Sequence, residues 1–395
     1  MSSESVPFSQ LTTLRVGGAA SELRTPADSR ELVDAALEVW STGDEWLLLG
    51  GGSNTVMADE GFDGTAIRVI TRGIERVEAQ GPHSVRLRVQ AGESWDGLVA
   101  HAVEHGWSGI EALSGIPGSV GAAPVQNIGA YGQELSSSLV AIDFLDFDSG
   151  ELHRLPASQL AFGYRTSALK QGRRGVVVSV ELELFDGSAG GTDAASALSA
   201  PVAYAQLASA LGVELGARVP LEDLRSAVLR LRAAKGMLLS ADDPDSVSTG
   251  SFFTNPIVSA GFASALPADA PRWPLEPDVD EPVIVPLENF VPGDLLARGA
   301  ASVPDGVAPA AGQQTEQRAV KLSAAWLIEH SGIVRGYSLP GSGAAISTKH
   351  TLAIVNRGSA TASDVAELGR YIQSRVLSEF GVILQPEPVL VGVPL

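Results

Sequence analysis

The chain of 395 residues has no cysteine. That excludes disulfides, thiol nucleophiles, thiolate-bound zinc and cysteine-ligated iron–sulfur clusters together, and it suits a reducing compartment. Aromatic residues make up only 6%, so the cores are expected to be aliphatic. Basic residues are scarce: 27 Lys and Arg against 46 Asp and Glu leave a formal charge of −19, spread along the chain. Affinity for nucleic acid or an anionic membrane through bulk charge is therefore not expected, and a polyanionic ligand has to meet a local basic pocket. No stretch approaches the ~18 uncharged apolar residues of a membrane span. The start, MSSESVPFSQLTTLRV, has no basic region followed by an apolar run, as a secretory signal would. A soluble, cytoplasmic protein is expected.

What is present supports packed domains. Hydrophobic residues are 45% of the chain, and the length is too great for one ordinary core, so two or three domains are expected. PADSRELVDAALEVWSTG reads as a helix with Asp28 as N-cap, Glu31 as capping partner and Gly43 beyond the end. The glycines at 50–52 join one apolar strand to the next rather than opening a helix, which counts against a Rossmann unit. From Val85 to Phe185, strand signals alternate with turns around one amphipathic helix at Trp95–His105, and a hairpin falls at Asp148–Gly150. This middle third reads as α+β with mixed strand pairing. Helical patterns cover 201–211 and 221–235. Segment 186–200 reads as a loop, and 259–316, rich in Pro, Ala and Asp, as an irregular surface excursion. Order returns with a helix in KLSAAWLIEHSG, strands AAIST and LAIVN, a helix closed by Gly381, and a last strand VILQPEPVLVG.

Several constellations carry chemistry, each with an ordinary alternative. LGGGSN and GIPGSVGAAPVQNIGAYG offer backbone without side chains, able to approach a phosphate closely or simply to turn tightly. HAVEH, from His101 to His105, fits an H-x-x-E-H zinc spacing on a helix, but with six histidines in the chain and no partner ligand nearby the solvated helix face is the favoured reading. AFGYRTSALK sets Tyr164 beside Arg165, whose planar fork suits a carboxylate or phosphate, or else a surface Tyr–Arg pair. STGSFFTNP places Ser251, Thr254 and Asn255 around two phenylalanines: a polar-rimmed pocket or a strand edge. LQPEP holds Glu387 between two prolines, either a rigid, poorly solvated carboxylate or an edge-strand glutamate.

Taken in order, TTLRVGG, LGGGSN, GIPGSVGAAPVQNIGAYG, FGYR, GSFFTNP, KLSAAWLIE and LQPEP resemble one family, the UDP-N-acetylenolpyruvoylglucosamine reductases of peptidoglycan precursor synthesis. The resemblance runs from residue 12 to residue 388. It implies an α+β protein with a two-lobed FAD-binding region of the vanillyl-alcohol-oxidase/PCMH type and a C-terminal α+β substrate-binding domain. The expected divisions are lobe 1 at 1–70, lobe 2 with a substrate-covering tyrosine loop at 71–236, and the substrate domain at 237–395.

By the same resemblance, backbone N–H groups of Gly51, Gly52, Ser53 and Asn54 meet the pyrophosphate of noncovalent FAD. Pro117, Gly118, Gly121, Ala122, Ile128, Gly129 and Tyr131 continue the wall. Tyr164 and Tyr204 close over the substrate, Lys235 meets its phosphates and helps hold NADPH, and Asn255 orients the same region. NADPH reduces the flavin, whose N5 then gives hydride to C3 of UDP-N-acetylglucosamine enolpyruvate. Arg165 stabilises the charge on the carboxylate, Glu387 assists, and Ser251 protonates C2 to give UDP-N-acetylmuramate. No metal is implied, and a monomer is expected. The rival readings are an FAD oxidase or dehydrogenase of the same fold acting on a sugar alcohol or hydroxy acid, a zinc hydrolase on His101, Glu104 and His105, and an inactive binding module.

Overall fold

The computed structural model describes residues 6–187, 193–275 and 319–395. In the first lobe, Ala20–Arg24 and Trp46–Leu49 pair in parallel with the central strand Phe62–Arg68. Parallel neighbours need a crossover, and the helix Ser29–Thr42 supplies it. Asp28 caps that helix, accepting from the N–H groups of Arg30 and Glu31, both at 2.9 Å. The Glu31 carboxylate reaches one residue further back than a capping box requires, accepting from Ala27 N at 2.9 Å. Gly43 ends the helix in the left-handed conformation, and Leu32, Ala36 and Val39 face the core.

The second lobe is a sheet centred on Gly175–Asp186, with Leu139–Asp146 and then Leu152–Pro156 on one side and Ser84–Gln90 and then Ile74–Val77 on the other. Ser84–Gln90 buries every second residue, as the SVRLRVQ alternation requires of a strand with one face in the core. The mixed pairing expected here does not occur. Every ladder of this sheet is antiparallel, and the short connections after Val77 and after Asp146 leave their two pairs no other direction. The helix Trp95–Glu104 covers the sheet with Trp95, Leu98 and Val99 buried. The helices Ala205–Leu211 and Leu221–Ala234 follow, around a small core of their own that includes Leu207, Leu224 and Val228.

In the last third, the helices Ala324–His330 and Ala362–Phe380 pack with the hairpin Ala344–Ile346 and Ile354–Asn356. Thr361 and Asp364 form a reciprocal capping box at the start of the long helix. Two expectations change. Residues 257–275 are not irregular: Ile257–Ser259 and Arg272–Pro274 pair with either side of Ala319–Leu322, and Ser259 caps the short helix Ala260–Ala265 between them. The remainder of the expected excursion, 276–316, and residues 188–192 of the expected loop lie outside the described residues. The last strand is only Val389–Val391, since Pro386 and Pro388 have no N–H to give a ladder. It pairs in parallel with Thr55–Met57 of the first lobe. Leu14, Val16 and Val56 are buried in the core of the C-terminal domain, so chain ends far apart in sequence are packed as one body.

Candidate active site

A cleft of about 790 Å³ opens where the two lobes, the helix pair and the C-terminal domain meet, a volume suited to a small-molecule site. Its back wall is the two glycine loops, and their packing explains their composition. A Cβ on Gly51 would lie 2.7 Å from Gly118 Cα, and one on Gly118, at φ 116°, would lie 2.7 Å from Ser53 Oγ. The loops touch main chain to main chain, which only glycine permits. Ser53 Oγ donates to Pro117 O at 3.0 Å and fixes the contact. None of the N–H groups of Gly51, Gly52, Ser53 and Asn54 is given to an acceptor among the described residues. Consecutive unspent N–H groups on a bare loop form an anion site without a lysine.

Pro117, Ala122, Ile128, Gly129 and Tyr131 also face the cleft, as expected. Gly121 does not. It sits behind the wall, its N–H bonded to Ala91 O at 2.8 Å, and a Cβ there would strike Ala91 Cβ at 2.5 Å. Its missing side chain makes room for Ala91.

The end of the cleft that holds Ser251, Arg165 and Glu387 is assembled by buried anchors. Phe252 and Phe253 meet edge to face at 5.1 Å and are each only 1% exposed, so the SFF stretch is a core plug that presents Ser251 to the cleft, not a strand edge. Phe252 O accepts from Glu387 N at 2.9 Å, which brings the serine and the glutamate segments together. Tyr164 and Arg165 form the tip of a tight hairpin closed by Gly163 and Thr166, with Arg165 at φ 55°. From there Arg165 Nη2 donates to Gly129 O at 2.6 Å, and Nε lies 3.4 Å from Glu387 Oε1. Burial pushes the Glu387 carboxyl above the usual carboxylate range, and Arg165 and Lys170 oppose that shift.

Around the mouth, the Tyr204 ring meets Tyr131 edge-on at 5.8 Å, and Lys235 Nζ donates to Gln206 Oε1 at 2.8 Å. Burial pushes the Lys235 ammonium down and the Tyr164 phenol up. Asn255 is outside the cleft. Its side-chain carbonyl accepts from Ala324 N at 3.0 Å, and it meets the Tyr164 hydroxyl, so it supports the tyrosine rather than lining the cavity.

Sequence reasoning missed several lining residues, among them Gln126, Lys170, Arg232, Lys321 and His350. Gln126, Lys170 and Lys321 lie inside quoted motifs and were within reach of a closer reading. Arg232 and His350 have no local signature. In all, five cationic side chains line the cleft against the two carboxylates of Glu134 and Glu387, which is the local basic pocket the composition demanded. His101 and His105 lie elsewhere, packed on Trp107, with His105 Nδ1 taken up by His101 O at 2.8 Å. Among the described residues no group of three or more His, Cys, Asp or Glu is placed to hold a metal, and no helix is long and apolar enough to cross a membrane.

The residues present fit a dinucleotide cofactor. Besides the unspent N–H groups, the hydroxyls of Ser119 and Thr249 on the cleft wall have no hydrogen-bond partner among the described residues. Residues 20–156 match the family model described as FAD binding domain, and with the cleft this defines an FAD-binding oxidoreductase. Residues 243–391 match the model for the C-terminal domain of UDP-N-acetylenolpyruvoylglucosamine reductase.

The chain is 61% identical over 389 residues to the UDP-N-acetylenolpyruvoylglucosamine reductase of Leifsonia xyli subsp. xyli, covering 98% of each. It is 44% identical over 384 residues to that of Saccharopolyspora erythraea, covering 97% of this chain and 94% of the relative. The crystal structure of the Thermus caldophilus reductase aligns with a TM-score of 0.58 at 26% identity over 98% of both chains. The chain belongs to the UDP-N-acetylenolpyruvoylglucosamine reductase family. FAD is the cofactor of that family and NADPH its reductant, and membership sets aside the oxidase, hydrolase and binding-module readings.

Proposed function

We propose that this chain reduces UDP-N-acetylglucosamine enolpyruvate to UDP-N-acetylmuramate with NADPH, as a cytoplasmic monomer. The lack of cysteine suits a reducing compartment. In this reading residues 1–70 and 71–236 hold the cofactor and 237–395 bind the substrate, with the N–H groups of Gly51 to Asn54 on the cofactor's pyrophosphate. When bound, FAD would supply the hydride-transfer chemistry that side chains lack, between NADPH and C3 of the enolpyruvyl group.

Hydride at C3 leaves negative charge at C2, conjugated with the substrate's carboxylate. Arg165 stabilises that charge electrostatically, as oxyanion-hole donors do. Burial favours the neutral form of Glu387, and in that form its carboxylic acid donates a hydrogen bond to the growing charge. The Ser251 hydroxyl gives its proton to C2. A serine is a weak acid, so this works because the enediolate is strongly basic and held close. Lys235 takes the diphosphate, while Tyr164 and Tyr204 cover the sugar.

The observation that carries the reading is the meeting of Ser251, Arg165 and Glu387 in one cleft with the unspent N–H wall. Ser251→Ala tests it in separate half-reactions. Flavin reduction by NADPH should stay within about twofold of wild type, and reoxidation by the enolpyruvyl sugar should fall by roughly 10²–10⁴-fold. Equal loss in both would contradict the assignment.

A further inference from the structure

Arg165 has few donors left for a substrate. Its Nη2 is given to Gly129 O at 2.6 Å, its Nη1 to Asn127 O at 3.4 Å, and its Nε faces Glu387 Oε1 at 3.4 Å. A guanidinium has five N–H bonds, so the anchored arginine offers the cleft only part of its fork. Its ties hold the Gly129 wall and the glutamate as much as they could hold a ligand.

Lys170 stands differently. Its main chain is fixed: Ser167, fully buried, donates to Val125 O at 2.6 Å and accepts from Lys170 N at 3.3 Å. The turn is pinned on both sides, by Ala168 N to Leu160 O at 2.7 Å and Arg173 N to Ala168 O at 3.0 Å. From this base the side chain enters the cleft beside Arg165 and Glu387. Its ammonium makes no hydrogen bond or ion pair among the described residues. Lys235, by contrast, is engaged by Gln206 and the Tyr131 ring, and Lys321 lies over the Tyr164 ring at 4.7 Å. Lys170 is thus the cleft lysine whose ammonium has neither a hydrogen bond nor a ring contact among the described residues, on the side of the cavity that holds Arg165 and Glu387.

We propose that Lys170 receives the carboxylate of the enolpyruvyl group, so that the charge developing during reduction is shared between its ammonium and the free edge of Arg165. This rests on the reductase reading above. A compact ammonium suits that task because it can follow the carboxylate as its charge grows, whereas the tethered guanidinium cannot move. The phosphates of the ligand are left to Lys235, which lines the cleft beside Tyr131 and Tyr204.

The test uses FAD-loaded wild type, Lys170→Met and Lys170→Arg. UDP-N-acetylglucosamine, which lacks the carboxylate, and the enolpyruvyl sugar are each titrated against the flavin absorbance, and both half-reactions are timed. Lys170→Met should weaken the enolpyruvyl sugar by about 30-fold or more, the loss expected when one partner of a close charge pair is removed. Its affinity for UDP-N-acetylglucosamine, its flavin spectrum and its reduction by NADPH should match wild type, and Lys170→Arg should recover most of the loss. Equal weakening of both ligands would assign Lys170 to the diphosphate. A changed spectrum, lost FAD or slowed reduction by NADPH would assign it to the cofactor, and unchanged binding of the enolpyruvyl sugar would leave it no role. Each of these overturns the proposal. Wild-type enzyme that is not reoxidised by the enolpyruvyl sugar would instead refute the reductase reading, before any variant is compared.

Discussion

His350 carries a pH signature that needs no substrate to read. Burial, with the nearby charges of Lys235 and Arg335, pushes its imidazole down to about 4, and Glu329 opposes the shift only in part. The folded protein therefore takes up this proton later than the unfolded chain, whose histidine titrates near about 6.5. Between those two values the unfolded state binds more protons, so stability is full above the window and is lost as pH falls through it, by about 3 kcal/mol in total. His350→Gln removes this contribution. In urea unfolding at pH 7.5, 5.5 and 4.5, the difference between wild type and variant should shift toward the variant as the pH drops, and a constant difference would show that His350 does not titrate as described. Nothing in STKHTL announces such a residue. It becomes visible only when the fold sets the turn beside the end of the helix that carries Lys235. Gly121 teaches the converse: its place in a glycine-rich motif suggested a ligand wall, and the contact with Ala91 behind it cannot be inferred from neighbours in sequence.

Elements with their determinants close by were legible. The helix Ala362–Phe380 has its cap, its apolar stripe and its terminating Gly381 within one stretch of chain, and Ser29–Thr42 is as self-contained. The parallel pair of Thr55–Met57 and Val389–Val391 was not legible, because its partners are joined only through the whole fold. That short ladder has a large mechanical task. Val389 N donates to Asn54 O at 2.9 Å, and the Asn54 side-chain amide donates to Glu387 O at 3.3 Å and to Gln126 Oε1, so it ties the glycine loop at 50–54 to the main chain that carries Glu387. Val389→Pro deletes the first of these donors and should cost about 1–3 kcal/mol by leaving the Asn54 carbonyl short of a partner. Because both ends of the tie loosen, FAD affinity and reoxidation by the enolpyruvyl sugar should fall together, unlike the selective effect of Ser251→Ala. Val389→Thr keeps the N–H and should leave both near wild type. A Val389→Pro enzyme with unchanged FAD affinity would show that the ladder is dispensable for the loop.

Across the whole molecule, charge works in opposite senses at two distances. The body carries a formal −19, while the cleft gathers five cations against two carboxylates. An anionic dinucleotide approaching from solution meets the first field before the second. Salt separates them, because the screening length is about 30 Å at 0.01 M, about 8 Å at 0.15 M and about 3 Å at 1 M. Raising salt to about 0.15 M removes the long-range repulsion but spares contacts a few ångströms long inside the cleft; further salt weakens those contacts as well. The second-order rate constant for flavin reduction by NADPH should therefore rise, pass a maximum and then fall across that range. Lys235→Gln should flatten the falling limb and leave the rising limb in place, since the repulsion belongs to the body and the attraction to the cleft. Stopped-flow traces at fixed pH decide it: a rate constant that only falls from the lowest salt upward would mean that the cleft's field already dominates at long range, and the separation of the two fields would be wrong.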